Sequence, residues 1–502
     1  MPGIARAQLP ALLILLVGPH PHVDGSCSKG NSVSSALSVF SALSLRGRGA
    51  VRFVAATWAC GLVAAGVLAG AGPAVADETP QTQGGATATI GGLKTYGAAV
   101  IHDGSGDVQV SAGLFEMSVD GGGTLQTYCV DLRNPTQRDA KYHETAWSGT
   151  SLGANKSAGR IRWILQHSYP QVNDLAALSA KAGTKGLTES DAAAGTQVAI
   201  WRYSDGADVD AVDPQAEKLA DYLAKSARDV AEPKASLTLD PPAVSGHPGE
   251  RLGPVTVHTN ASGVTVTPPA DAATSGVRIV DKGGKAVTSA ADGSQVFFDV
   301  PEDAVAGSAE LTVQASTTVP VGRAFTSDSR SQTQILAGSS ESTVSAAASA
   351  NWAETGAIPA LSARKNCAES GVDITAANQG DATFTFELLG VEHGIDAGKS
   401  ATVTIPLQED QAYDFTITAP NGYEKRFTGV LDCRTQSDAG GTVTQTLSEP
   451  SPATVGGTAV DTNLAETGGS GITPMITVLA LGLVGIGATT LVLLRDRKPG
   501  QS

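Results

Sequence analysis

The chain has 502 residues, with 49 acidic against 34 basic side chains and a formal net charge of −15. That balance argues against nucleic acid as the partner, since phosphate-backbone binding needs a basic face. Aromatics make up 5% of residues while there are 58 glycines, a composition suited to short strands and turns rather than helical bundles.

In chain order, Arg46, Arg48 and Arg52 precede an apolar run, roughly Phe53 to Ala71, that ends in Ala74-Val75-Ala76 before Asp77 and Glu78. A basic region, an apolar region and a small-residue site in that order describe an export signal. Residues 1–76 are therefore expected to be removed by cleavage between Ala76 and Asp77. A signal peptide needs only about 15–30 residues, so translation is expected to start later than Met1.

Residues 77–89 are polar and expected to be flexible. The next segment, 90–232, mixes both kinds of structure. Val108 to Met117 and Leu125 to Leu132 alternate like strands, with Gly121-Gly122-Gly123 as the turn between them. Ala158, Ile161 and Leu165 fall at helical spacing before Pro170. Thr188 and Asp191 have the spacing of a capping box, and the helix they open carries Gln197, Ile200 and Trp201. Asp213-Pro214 caps a further helix that buries Ala216, Leu219, Ala220 and Leu223.

From 233 to 338 the pattern turns all-β, with short strands between Gly, Pro and Asn clusters, as in an Ig-like sandwich. Residues 339–360 are Ser- and Ala-rich and expected to be a linker. A second sandwich-like β domain spans 361–434, bracketed by Cys367 and Cys433, a pair suited to a disulfide in an exported chain. Residues 435–463 lack periodicity and suit a wall-spanning linker. The fold class expected is thus a multidomain chain: an α+β head, two all-β Ig-like domains and a C-terminal single transmembrane helix.

That helix is expected at 472–494, an uncharged run followed by a basic tail at 495–502. Just before it stands Leu464-Ala465-Glu466-Thr467-Gly468. Pentapeptide, apolar run and basic tail together resemble a sortase cell-wall sorting signal of the LAxTG type. The resemblance implies cleavage between Thr467 and Gly468 and transfer of Thr467 to a peptidoglycan precursor, with membrane contact only through the helix before sorting. It places the protein on the cell wall of a Gram-positive bacterium.

Of five cysteines, Cys27 and Cys60 lie in the export region and Cys367 and Cys433 pair, which leaves Cys129. An odd thiol in an oxidising setting signals an intermolecular bond or a reactive group. A thiolate can attack a side-chain amide, expelling ammonia and leaving a thioester. Tyr128-Cys129-Val130-Asp131, followed by Thr196-Gln197-Val198-Ala199-Ile200-Trp201 and then Asp205-Gly206, resembles the thioester domain of Gram-positive surface adhesins over about Ile90 to Glu232. The resemblance implies a thioester between Cys129 and Gln197 and covalent attachment to an amine-bearing surface protein. Tyr128, Asp131, Thr196, Trp201 and Asp205 are candidates to support the site, although core packing, capping or turn roles also suit them.

Such a head is a single-use reagent, so neither enzymatic turnover nor a cofactor is expected, and the scattered histidines form no metal-binding pattern. The alternative is a non-covalent binding or structural wall protein with an inert Cys129. A cysteine hydrolase would draw its base from His143 or His167, neither of which sits in a motif.

Overall fold

The computed structural model describes residues 84–104 and 106–434. The expected signal region with Ala76 and Asp77, the motif Leu464–Gly468, the apolar run 472–494 and the basic tail lie outside the described residues. Among the described residues no helix is long and apolar enough to cross a membrane.

The head begins with strands β1 (Thr87–Asp103), β2 (Gly106–Val119), β3 (Thr124–Cys129) and β4 (Lys141–Thr145). Helices α1 (Ser151–Ala154), α2 (Ala158–His167), α3 (Leu175–Ala182) and α4 (Glu189–Ser204) follow, then β5 (Val209–Ala211) and α5 (Pro214–Ser226). The turn joining β2 to β3 is Gly121-Gly122-Gly123, all at positive φ, a conformation only glycine adopts at no cost. The capping box forms as expected, with the Thr188 side chain taking the Asp191 amide and the Asp191 carboxylate taking the Thr188 amide. Gly195 lets α5 approach closely, because a Cβ there would stand 2.4 Å from the Ala216 carbonyl oxygen.

A second set of strands comes next: β6 (Leu237–Asp240), β7 (Ala243–Gly246), β8 (Arg251–Thr259), β9 (Val264–Thr267), β10 (Arg278–Val280), β11 (Ser289–Ala290), β12 (Gln295–Asp299) and β13 (Gly307–Thr318). The chain continues through β14 (Ala324–Ser327), β15 (Gln334–Ser339) and β16 (Glu341–Trp352). Their pairing breaks the expected boundaries. β14 and β15 join the head in the order β2-β3-β15-β14-β4-β1-β5, and β1 also pairs with β2, closing six strands into a ring. The head is therefore discontinuous in sequence. Most of a two-sheet β unit, with orders β10-β12-β8-β6 and β11-β9-β13-β16-β7, lies between its two parts, and β16 completes that unit after β15.

The expected linker at 339–360 is also corrected. β16 pairs with β13 along its whole length and with β7 in parallel. Its Val344, Ala346, Ala348 and Ala350 are buried while Ser345 and Ser349 are half-exposed. This is strand alternation written in small residues, which composition alone reads as a linker. The expected flexible stretch is ordered from Gly84, since Gly85 exchanges both backbone hydrogen bonds with Ser345 (2.8 and 2.9 Å).

The last region forms β17 (Pro359–Asn366), β18 (Gly371–Asn378), β19 (Phe384–Leu388), β20 (Val391–Ile395), β21 (Lys399–Pro406), β22 (Ala412–Thr418) and β23 (Glu424–Val430). It has its own buried cluster around Ile374, Phe384 and Phe427. A disulfide joins Cys367 to Cys433 across 66 residues, a closure that contributes roughly 4 kcal/mol in the chain-entropy description. The region meets the head where Cys367 N–H donates to Ser148 O (3.1 Å) and Arg330 Nε donates to Asp410 O (3.1 Å).

Candidate functional site

Cys129 is the last residue of β3, and β15 runs antiparallel beside it with Gln334 directly opposite. The Cys129 backbone meets the side chain of Gln197 on α4. Its N–H donates to Gln197 Oε1 (3.0 Å) and its C=O accepts from Gln197 Nε2 (2.8 Å), while the next amide, of Val130, reaches Thr333 O (3.2 Å). Cys129 and Gln334 thus form a non-hydrogen-bonded pair, the type in which facing Cα atoms come to about 4.5 Å and side chains lie closest. Gln334 Nε2 lies 3.3 Å from Cys129 Sγ. The amide oxygen, Oε1, accepts from the Thr127 hydroxyl at 2.9 Å. Thr127 and Cys129 share one face of β3, being two residues apart. Thr127, Cys129, Gln197 and Gln334 all have 0% exposure.

The geometry separates the two glutamines. Gln197, presented by α4, is beside Cys129 as expected, but both ends of its amide are spent on the Cys129 backbone, where they act as a substitute strand. Gln334 instead offers its amide to the sulfur. Sequence order gives no reason to bring Gln334 to Cys129, because most of a β unit lies between them in the chain. The local signal is a Thr-Gln, Thr333-Gln334, that opens the apolar run Ile335-Leu336-Ala337.

The other expected residues form the setting. The Tyr128 hydroxyl donates to Tyr169 O (2.9 Å), and burial holds its phenol well above the ordinary range. Thr196 Oγ1 donates to Ala192 O (2.6 Å) and lies 2.5 Å from Ser168 Oγ. Trp201 is fully buried against the ring. Asp131 accepts from the Arg133 amide (3.3 Å) and from the Asn134 side chain. Asp205 accepts from the Leu132 amide (3.0 Å) and the Ser204 hydroxyl (2.6 Å). These two carboxyl groups fix the turn that carries the chain away from Cys129. The histidines are engaged elsewhere: His143 with Asp328 (2.8 Å) and Thr87 (3.1 Å), His167 stacked on Trp163.

Burial pushes the Asp205 carboxyl up to about 7. Asp131 is also held well above the usual range, by burial first and then by the charges of Asp432 and Asp205. An unfolded aspartate ionises near about 3.9, so between about 4 and 7 the unfolded chain sheds a proton that the folded chain keeps. The contribution of Asp205 to stability should therefore fall as pH rises through that window and level off above it. Thermal melts at pH 5 and pH 8 check this: Asp205→Asn should show a smaller drop than the wild type. Equal drops would mean that Asp205 does not titrate with folding.

Residues 126–229 match the family model described as the thioester domain, and residues 357–430 match that of the bacterial phospholipase C C-terminal domain. Gln334 lies beyond the first match. No curated protein matches the sequence. Among solved structures, the Bacillus anthracis TIE protein is similar at 15% identity, covering 69% of this chain and 81% of its own, with a TM-score of 0.24. The thioester domain of the Enterococcus faecium TIE86 protein is similar at 16% identity, covering 54% of this chain and 97% of its own, with a TM-score of 0.25. The family match supports a thioester-domain protein.

Proposed function

We propose that this chain is a surface adhesin that attaches covalently to its target through an internal thioester between Cys129 and Gln334. The observation that carries the reading is the side-chain contact of Gln334 with the Cys129 sulfur across a non-hydrogen-bonded strand pair. Attack of Cys129 Sγ on Gln334 Cδ forms the S–C bond and breaks Cδ–Nε2. The nitrogen leaves as ammonia, carrying off the thiol proton. The leaving nitrogen already touches the sulfur, so that proton has a short path. A target amine then attacks the same carbon, forms an amide with Gln334 and returns the thiol to Cys129. Each chain acts once, which makes it a reagent rather than an enzyme.

The earlier expectation of Gln197 as acyl donor gives way in this reading, because its amide is committed to the Cys129 backbone. The export signal and the Leu464–Gly468 motif support display on a cell wall, with a sortase joining Thr467 to the peptidoglycan precursor. Incubation of the purified chain with methylamine tests the reactive site. One methylamine should appear on the Gln334 peptide, together with one newly alkylatable thiol at Cys129. Unmodified Gln334 beside a thiol alkylated from the start would refute the proposal.

A further inference from the structure

The acyl carbon of Gln334 needs more than a nucleophile at its side, because charge gathers on its oxygen in both halves of the chemistry. When sulfur attacks the amide, and later when an amine attacks the thioester, Oε1 takes on negative charge in a tetrahedral intermediate. A donor aimed at that oxygen beforehand, in a dry site, lowers both barriers without reorganising. We propose that Thr127 is this donor and is a catalytic residue of the head, an inference that rests on the Cys129–Gln334 thioester.

Four observations place it. The Thr127 hydroxyl donates to Gln334 Oε1 at 2.9 Å. Thr127 is 0% exposed, so water does not compete for the bond. It shares the β3 face of Cys129, which puts nucleophile and oxyanion donor on one rigid strand. Its β-branched side chain is stiff at χ1, so the hydroxyl is held where the charge will form. The nearby Tyr142 hydroxyl donates to Gln332 O (2.9 Å) and lies 2.6 Å from Ser331 Oγ, and it also meets the Gln334 side chain, whereas Thr127 gives its proton to Oε1 itself. Oxygen and nitrogen of the Gln334 amide are thus recognised separately: the oxygen by a hydroxyl donor, the nitrogen by the sulfur it must leave to.

The chemistry balances without a further reactant. Thr127 keeps its proton throughout, tightening its hydrogen bond as Oε1 becomes an oxyanion and relaxing it when ammonia or Cys129 Sγ departs. After the thioester forms, the same hydroxyl polarises its carbonyl toward the incoming amine.

The test compares the purified wild-type chain with Thr127→Val, which matches the shape without the hydroxyl, and Thr127→Ser, which keeps it. Methylamine uptake at Gln334 is followed by mass, alongside the infrared stretch of the thioester carbonyl and a thermal melt. Thr127→Val should react about a hundredfold more slowly, with its carbonyl stretch moved to higher frequency, or should fold yet never lose ammonia. Thr127→Ser should stay close to wild type in rate and frequency. A Thr127→Val chain with wild-type rate and frequency would overturn the assignment, as would a Thr127→Ser chain that melts normally yet has lost its reactivity. Absence of ammonia loss from the wild-type chain would instead refute the thioester reading itself.

Discussion

Gln334→Ala should yield a chain that retains its full mass and carries an alkylatable Cys129 thiol, while Gln197→Ala should damage the fold and spare the bond. The two glutamines touch the same cysteine, but different parts of it. Removing the Gln334 side chain removes the carbon that sulfur attacks, so no ammonia can leave. Removing the Gln197 amide leaves the Cys129 N–H and C=O without the partners that they have at 3.0 and 2.8 Å. Buried backbone groups that lose a partner cost about 1–3 kcal/mol each, so a loss of about 2–6 kcal/mol is expected for the two. Intact mass and denaturant midpoints, taken together on both variants, check the division. Loss of ammonia from Gln334→Ala, or a stable Gln197→Ala that keeps its full mass, would reverse the roles assigned here.

The second large effect lies at the junction between the ring and the β unit. Arg323 and Glu144 form an ion pair (2.8 Å) with side-chain exposures of 6% and 0%. Glu144 also accepts from the Ser236 amide (2.9 Å) and the Ala86 amide (3.3 Å), while Arg323 reaches Glu232 (2.8 Å) and Pro233 O (3.2 Å). The pair thereby ties β4 to the start of β14 and to the segment where the chain leaves the head. Arg323→Ala leaves a buried carboxylate without its cation, a change that costs about 3–5 kcal/mol. Urea unfolding followed by tryptophan fluorescence should show the midpoint falling accordingly. An unchanged midpoint would mean that the amide donors alone satisfy Glu144.

What the sequence reveals here is what is local. Thr188 with Asp191, and Asp213 with Pro214, announce α4 and α5 because caps act within a single turn. The three glycines announce the β2–β3 turn for the same reason. The closing of the ring is not local. β14 and β15 pair with β4 and β3 across an intervening β unit, and no periodicity marks such a return. β16 was hidden for a different reason: its inward residues are mostly alanine, so its alternation carries little hydrophobic contrast.

The site divides along the same line. Cys129 stands out from the cysteine count and from its motif, and Gln197 from the motif that follows. Both lie in the segment that matches the thioester domain. Gln334 and Thr127 become meaningful only when the register of β3 against β15 is known, since Gln334 is 205 residues from Cys129. A buried strand that opens with a glutamine is a local anomaly. Its explanation is tertiary.

Peptide mapping of the purified, non-reduced chain locates the thioester. A Cys129–Gln334 thioester should give a cross-linked species joining the Cys129 peptide to the Gln334 peptide, lighter than their sum by one ammonia, with Gln197 intact. Separate peptides of full mass, or a cross-link from Cys129 to Gln197, would contradict it.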